Sequence, residues 1–456
     1  MHYDLIIRNG TIVTPEKSFQ GDVAVSGGKI VKTDILNMSD TADEVYDALG
    51  KHVLPGIIDA HVHFRDPGLT EKEDFETGSI AAAMGGITMI ADMPNVIPVT
   101  STKERFEEKI KIAKEKSYID FALFALLTND NLNEMENMKT AGALGYKVFF
   151  GTSTGDVASP SVKILLQQMK NSDLRIGFHA ETNEINANFT DIAKREAESP
   201  DGFWLDYARP VISEVQAIHD IISFASNTGA KIHFHHITSF DGALLVEEAK
   251  KKGLDITAET CPHYLLFNSN NHTHKVYPPI RDEEHQKSLW EAIEKGVIDM
   301  IASDHAPHTA AEKSLPLWEP LTSSPEQIFR SVPAGLSGVE TSVPLMLNEV
   351  NKGTLTINDY ARLASEAPAK IWNIYPQKGN LLPGADADIT IVDMNIKKTI
   401  RAGELHSKSK TSPYDGMETQ GFPVATIVRG KFVMRNGELT GGKGYGNLIN
   451  PILSFS

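Results

Sequence analysis

Between residues 55 and 375, short apolar runs recur eight times, and a longer helical pattern follows each. The runs are "GIIDAHVHF", "GITMIADM", "IDFALFALL", "LGYKVFF", "LRIGFHAE", "KIHFHHIT", "DITAETCPHYLL" and "IDMIASDHA". Segments such as "STKERFEEKIKIAKEKS" and "SFDGALLVEEAKKKG" separate them, with apolar residues at helical spacing. Eight strand–helix units in series fit few architectures, and their regularity favours an α/β fold of the (β/α)8 TIM barrel type over a doubly wound sheet.

The two ends read differently. "DLIIRNGTIV" places Asn9-Gly10 between two β-rich runs, a hairpin signal, and "GDVAVSGGKIVKTDI" repeats it with Gly27-Gly28. "ADITIVDM" and "ATIVRGKFVMRNGEL" echo this at the other end. The expectation is a small β-sandwich domain from residues 1–54 and 376–456, around a barrel of residues 55–375. The segment "TAAEKSLPLWEPLTSSPEQIFRSVPAGLSG" is the longest irregular stretch and reads as an active-site loop.

Bulk properties narrow the partners. The formal net charge of −16 argues against a nucleic-acid surface or an anionic membrane. No run of about 18 apolar residues is present to span a bilayer. The single cysteine, Cys261, precludes an intrachain disulfide and fits a cytoplasmic setting. The start, "MHYDLIIRNG", has no signal-peptide pattern.

In a barrel, catalytic residues sit at the C-terminal ends of the strands. The first strand ends in His61 and His63, two apart and so on one face. Lys147 lies in the fourth and His179 ends the fifth. His233, His235 and His236 end the sixth, and Asp304 ends the eighth. Each has a simpler explanation alone: a packed histidine, a snorkelling lysine, a helix-capping aspartate. Their joint placement at one barrel mouth is what those explanations do not predict. Imidazoles with a carboxylate suit zinc, which as a catalytic ion keeps a position open for water. Two ions could share the cluster if an anion bridged them. A carboxylated Lys147 would supply that bridge, since an apolar setting favours its reactive neutral amine. The histidines at 2, 52, 219, 272, 274, 285 and 406 are assigned to surface or packing.

"PGIIDAHVHFRDPG", "GYKVFFG", "HHITS", "ETCPHYL", "SDHAPH" and the terminal "SPYDG…G…TIVRGKFV" together resemble the amidohydrolase superfamily. Within it, the chain is similar to the cyclic amidases: dihydroorotase, allantoinase and dihydropyrimidinase. The resemblance covers essentially the whole chain. It implies that His61, His63 and Asp304 bind a buried zinc ion and that His179 and His236 bind a second. Carboxylated Lys147 and a hydroxide would bridge the two, with Asp304 as the proton-transfer residue. His236 is preferred because family members keep the histidine before the "[IV]-[ST]-S" triplet; His235 then faces the opposite way on an ideal strand, and His233 is structural. "HFRDPG" and "MPNVIPVT" look most like dihydroorotase, which implies that Arg65, Asn95 and His308 hold a substrate carboxylate. Tyr277 departs from the asparagine common there, and the middle of the chain reads closer to allantoinase. All six ligand positions are filled, which argues against a non-catalytic scaffold. The resemblance also implies a small cyclic amide as substrate and a homodimer or homotetramer.

Overall fold

The computed structural model describes residues 1–151, 157–196, 203–270, 274–314 and 332–453. Five strands come first: β1 (His2–Val13), β2 (Ser18–Ser26), β3 (Lys29–Asp34), β4 (Thr41–Asp47) and β5 (His52–Pro55). Eight follow: β6 (Ile57–Val62), β7 (Ile87–Asp92), β8 (Asp120–Leu126), β9 (Gly145–Phe150), β10 (Ile176–Ala180), β11 (Ile232–Phe234), β12 (Ile256–Thr260) and β13 (Met300–Ile301). The last four are β14 (Ile389–Thr399), β15 (Glu418–Val428), β16 (Lys431–Arg435) and β17 (Glu438–Leu439).

Strands β6 to β13 pair in sequence order as one parallel sheet. A bridge between Val62 and His305, with the His63 N–H donating to the His305 carbonyl at 2.7 Å, joins the last strand back to the first and closes the barrel. The run-on apolar composition of these strands follows from that closure, because side chains are covered on both faces. One set packs inside with Trp372: Ile58, Ala60, Met89, Ala91, Ala122, Phe124, Met300 and Ala302. The other set packs outward, with Val62, Ile90, Phe121, Leu123 and Val148 in the larger core. Helices start where polar caps allow: Asp74 accepts from the Thr77 N–H at 2.9 Å and Ser239 from the Gly242 N–H at 3.1 Å.

Strands from both ends of the chain form one nine-stranded mixed sheet, ordered β17-β16-β15-β14-β5-β1-β2-β3, with β4 also on β1. It bends round its own core, where Leu5, Ile7, Val25 and Val53 meet Ile389, Ile391 and Ile427. The Gly27-Gly28 turn joins β2 to β3 as expected, both residues having positive φ.

Two local expectations fail. Asn9-Gly10 is not a hairpin but a bulge inside β1, since the pairing steps three residues from Ile7 to Gly10 against two from Val23 to Gly21. Asp22 Oδ1 accepts from the Asn9 N–H at 2.9 Å, and a Cβ at Gly10 would meet Val53 Cγ2 at 2.6 Å, so the chain runs straight on. The seventh apolar run is strand only to Thr260; Pro262 then opens a short helix, Pro262–Leu266, a position where its missing N–H costs nothing. Residues 315–331 of the expected active-site loop, and His272, lie outside the described residues. Among the described residues, no helix is long and apolar enough to cross a membrane.

Candidate active site

A bulge aims the first two histidines. Pairing of β6 with β7 advances three residues, Asp59 to Val62, against two, Ile90 to Asp92. The extra residue shifts the parity, so His61 and His63 point inward although Ile58 and Ala60 already do. Asp59 supports this irregular backbone. Its Oδ1 accepts from the His61 N–H at 3.3 Å and the Ser303 N–H at 3.0 Å, and burial raises its pKa to about 6.

Eight of the nine residues singled out from sequence line one cavity of about 30 Å³ at the C-terminal ends of the strands. These are His61, His63, Arg65, Asn95, Lys147, His179, His236 and Asp304. His308 lies behind Arg65, with its Nε2 3.4 Å from an Arg65 Nη. Arg65 (φ 61°), His236 (φ 38°) and Asp304 (φ 45°) are left-handed. That conformation is unfavourable for side chains with a Cβ, and its concentration here marks a built site. It also changes the sixth strand end. His233 and His235 both turn inward onto Glu259 with Phe234 outward, and the left-handed backbone at His236 breaks the alternation and brings its ring in as well, so His235 does not face away from the barrel as expected. Its ring lies 4.5 Å from that of His61, and the His236 ring lies 5.5 Å from His61.

The donor set suits a metal. Nε2 of His61 and of His63 lie 3.3 and 3.2 Å from Asp304 Oδ1, and the three groups bring ligand atoms within 4.8 Å of one another. His179 Nδ1 and His236 Nε2 lie 3.0 Å apart. The other ring nitrogens of His61, His63 and His179 are held from behind, as those of metal-binding imidazoles usually are, whereas His236 Nδ1 has no partner among the described residues. Glu259 takes His61 Nδ1, Asn95 Oδ1 takes His63 Nδ1 at 2.7 Å, and Glu181 Oε2 takes His179 Nε2 at 2.8 Å. Burial lowers the pKa of all four imidazoles, so each offers a lone pair. Lys147 Nζ is fully buried with no hydrogen-bond partner among the described residues, 5.0 Å from the Phe149 ring centroid, and burial lowers its pKa to about 7. A buried amine that is substantially neutral, orphaned among ligand side chains, fits a group that is chemically completed. Burial pushes the Asp304 carboxyl up, but the hydrogen bond from His63 and nearby charges outweigh it and hold the pKa below the ordinary value.

Several supporting residues carried no legible signal. Glu259 is the centre of the barrel floor, accepting also from His233 Nε2 and His235 Nδ1, each at 3.0 Å. Glu181 is clamped by Arg209, whose guanidinium lies 3.8 Å from the ring centroid of Tyr277, a cavity-wall residue. The departure at position 277 therefore falls in the site itself.

The amidohydrolase family model matches residues 52–433. An allantoinase of Deinococcus radiodurans is 36% identical over 99% of both chains. A dihydroorotase of Methanosphaera stadtmanae is 33% identical, covering 90% of this chain and 92% of its own. The solved structure of an L-hydantoinase (dihydropyrimidinase) from Arthrobacter aurescens superposes with a TM-score of 0.92 at 33% identity, over 98% of this chain and 100% of the other. Likeness of this extent, in sequence and in three dimensions, makes the chain a member of the amidohydrolase family and a cyclic amidohydrolase of the allantoinase, hydantoinase and dihydroorotase type.

Proposed function

We propose that this chain is a dihydroorotase, catalysing the reversible hydrolysis of the ring amide of L-dihydroorotate to N-carbamoyl-L-aspartate in pyrimidine synthesis. The observation that carries this reading is Arg65. Its guanidinium is 2% exposed and lines the cavity, yet no ion pair joins it to a carboxylate among the described residues. Burial lowers its pKa to about 10. Arg65 Nε donates to the Pro307 carbonyl at 3.2 Å and feels the more distant Asp304, Asp92, Glu312 and Glu73, but a buried cation without a directly paired carboxylate is costly, and a substrate carboxylate would complete it. Arginine matches a planar carboxylate through paired N–H donors. Dihydroorotate carries such a group; allantoin and dihydrouracil do not.

In this reading His61, His63 and Asp304 would hold one zinc ion, His179 and His236 a second, and carboxylated Lys147 would serve as a ligand shared by both. The neutral Lys147 amine forms the carbamate by adding to carbon dioxide, making an N–C bond and releasing a proton. When bound, the ions supply Lewis acidity and a water acidic enough to react near neutral pH. Asp304 takes the proton of the attacking water at its carboxylate and delivers it to the departing ring nitrogen. Arg65, Asn95 and His308 fix the ring by its carboxylate, so the scissile carbonyl is presented in one orientation. The single buried cysteine accords with a cytoplasmic enzyme.

A second reading, a neutral ureide such as allantoin, draws support from the Deinococcus relative and from Tyr277 in the cavity wall. The deciding experiment is turnover of the zinc-loaded protein on L-dihydroorotate, allantoin and dihydrouracil side by side. Turnover of dihydroorotate alone is expected; turnover of allantoin or dihydrouracil instead would refute the carboxylate role of Arg65.

A further inference from the structure

One side chain lies behind two walls of the cavity. Arg209 follows the short helix Phe203–Ala208 and is buried. The edge of its guanidinium clamps Glu181: Nε donates to Oε1 at 2.9 Å and Nη2 to Oε2. The same planar group lies 3.8 Å from the ring centroid of Tyr277. A guanidinium can do both, because its N–H donors lie in the plane and its faces are left for aromatic rings. Each partner then reaches the cavity. Tyr277 lines it directly. Glu181 Oε2 takes His179 Nε2 at 2.8 Å, which puts the imidazole proton on Nε2 and leaves the Nδ1 lone pair on the side of His236. The other contacts to Glu181 are donors too, Asn186 Nδ2 at 3.5 Å included, so none opposes that tautomer. Arg209 is itself anchored: its carbonyl accepts from Arg281 Nη1 at 2.6 Å, and Arg281 Nε donates to Thr238 Oγ1 at 3.2 Å, two residues beyond His236.

We propose that Arg209 is a positioning residue shared by the second metal site and the substrate wall: through Glu181 it holds His179 with Nδ1 bare for an ion, and through its face it fixes the Tyr277 ring. This rests on the metal reading of His179 and His236 and is independent of which cyclic amide is the substrate. Without the guanidinium, Glu181 is a buried carboxylate lacking its cation, and the orientation of His179 goes with it. Without the stacked face, the Tyr277 ring has to be ordered when substrate binds. Metal affinity and substrate affinity therefore answer to one side chain.

The test uses the full chain. Zinc affinity is measured by competition with a chromophoric chelator and zinc content by plasma mass spectrometry. KM is measured on whichever of L-dihydroorotate, allantoin and dihydrouracil the wild type turns over. Arg209→Met is expected to weaken the second zinc ion about 10- to 100-fold and, in excess zinc, to raise KM about three- to tenfold. Arg209→Lys separates the two roles. It returns a cation to Glu181 but offers no planar face, so zinc affinity recovers to within about fivefold of wild type while KM stays raised. Tyr277→Leu raises KM and leaves zinc affinity unchanged. The double variant Arg209→Lys, Tyr277→Leu raises KM no further than Tyr277→Leu alone, since both changes remove one contact. General damage to the fold would instead weaken zinc in Arg209→Lys and add in the double variant. Either of those results, or wild-type zinc affinity in Arg209→Met, overturns the inference, while two ions bound by the wild type keep the metal reading intact. Should Arg209→Met not fold, Arg209→Lys and the double variant decide. A wild-type chain that binds fewer than two zinc ions at saturating zinc overturns the metal reading and the inference with it.

Discussion

Asp304 is the residue on which the proposed chemistry and the proposed metal binding converge. As the proposed proton carrier it should be separable from its ligand role. Asp304→Asn keeps an oxygen toward His61 and His63 but cannot hold a proton at a carboxylate. We expect kcat to fall about 100- to 10,000-fold, with metal content by plasma mass spectrometry close to wild type. A variant retaining wild-type turnover would remove Asp304 from that role. Arg65 is tested on the substrate side. Arg65→Met should raise KM for dihydroorotate about thirtyfold or more and leave a neutral ureide, where one is turned over, unaffected. At this scale the sequence was legible where chemistry is written into local motifs: the H-x-H pair, the lysine and the aspartate all reach the cavity. It was silent on Asp59, Glu181 and Glu259. A carboxylate in an apolar run reads as a cap or edge residue until its partner is known, and the partner of Glu259 is His61, on a strand far away in sequence.

Elements fared similarly. Continuous apolar runs identified all eight barrel strands, because burial on both faces leaves a strong compositional trace. Bulges left none. The extra residue in β6 is held by Asp59 of the same strand, which accepts the His61 N–H and ties it to Ser303, and the Asn9-Gly10 kink in β1 by Asp22 of the neighbouring strand, which accepts the Asn9 N–H. The left-handed backbone at His236 likewise falls on a residue type that gives no warning of it. One element-level contact controls the wall behind the first histidines. Lys109, from helix Lys103–Lys116, lies 2.5 Å from Asp92 at the end of β7 and donates to the Met93 carbonyl at 2.7 Å, both ionic groups being fully buried. Asp92 Oδ1 in turn accepts from the Phe64 N–H at 2.7 Å. Lys109→Met strands a buried carboxylate and should cost about 3–5 kcal/mol, read as a lower urea midpoint. The double variant Asp92→Asn, Lys109→Met should regain part of it, and equal stability of wild type and Lys109→Met would show the pair to be idle.

Across the whole molecule, the six buried side chains proposed as metal ligands should couple metal to stability. Chelation is expected to lower the thermal midpoint, because an ion present at a thousandfold excess over its dissociation constant contributes about 4 kcal/mol to the folded state. An unchanged midpoint after removal of all metal would mean that the site contributes nothing to the fold. The barrel and the mixed sheet are tied where Lys378 Nζ reaches Asp120 on β8 at 2.5 Å and Asp388, just before β14, at 2.5 Å. That sheet is also the last thing the chain can finish. Strand β5 pairs with β1 on one side and with β14 on the other, and everything from Gly56 to Asp388 is made between them. At ribosomal speed the β5 edge waits roughly half a minute with its backbone donors and acceptors open. A nascent chain of this protein thus carries an open strand edge for most of its synthesis, and shielding of that edge until the C-terminal strands arrive is expected to raise its yield in cells.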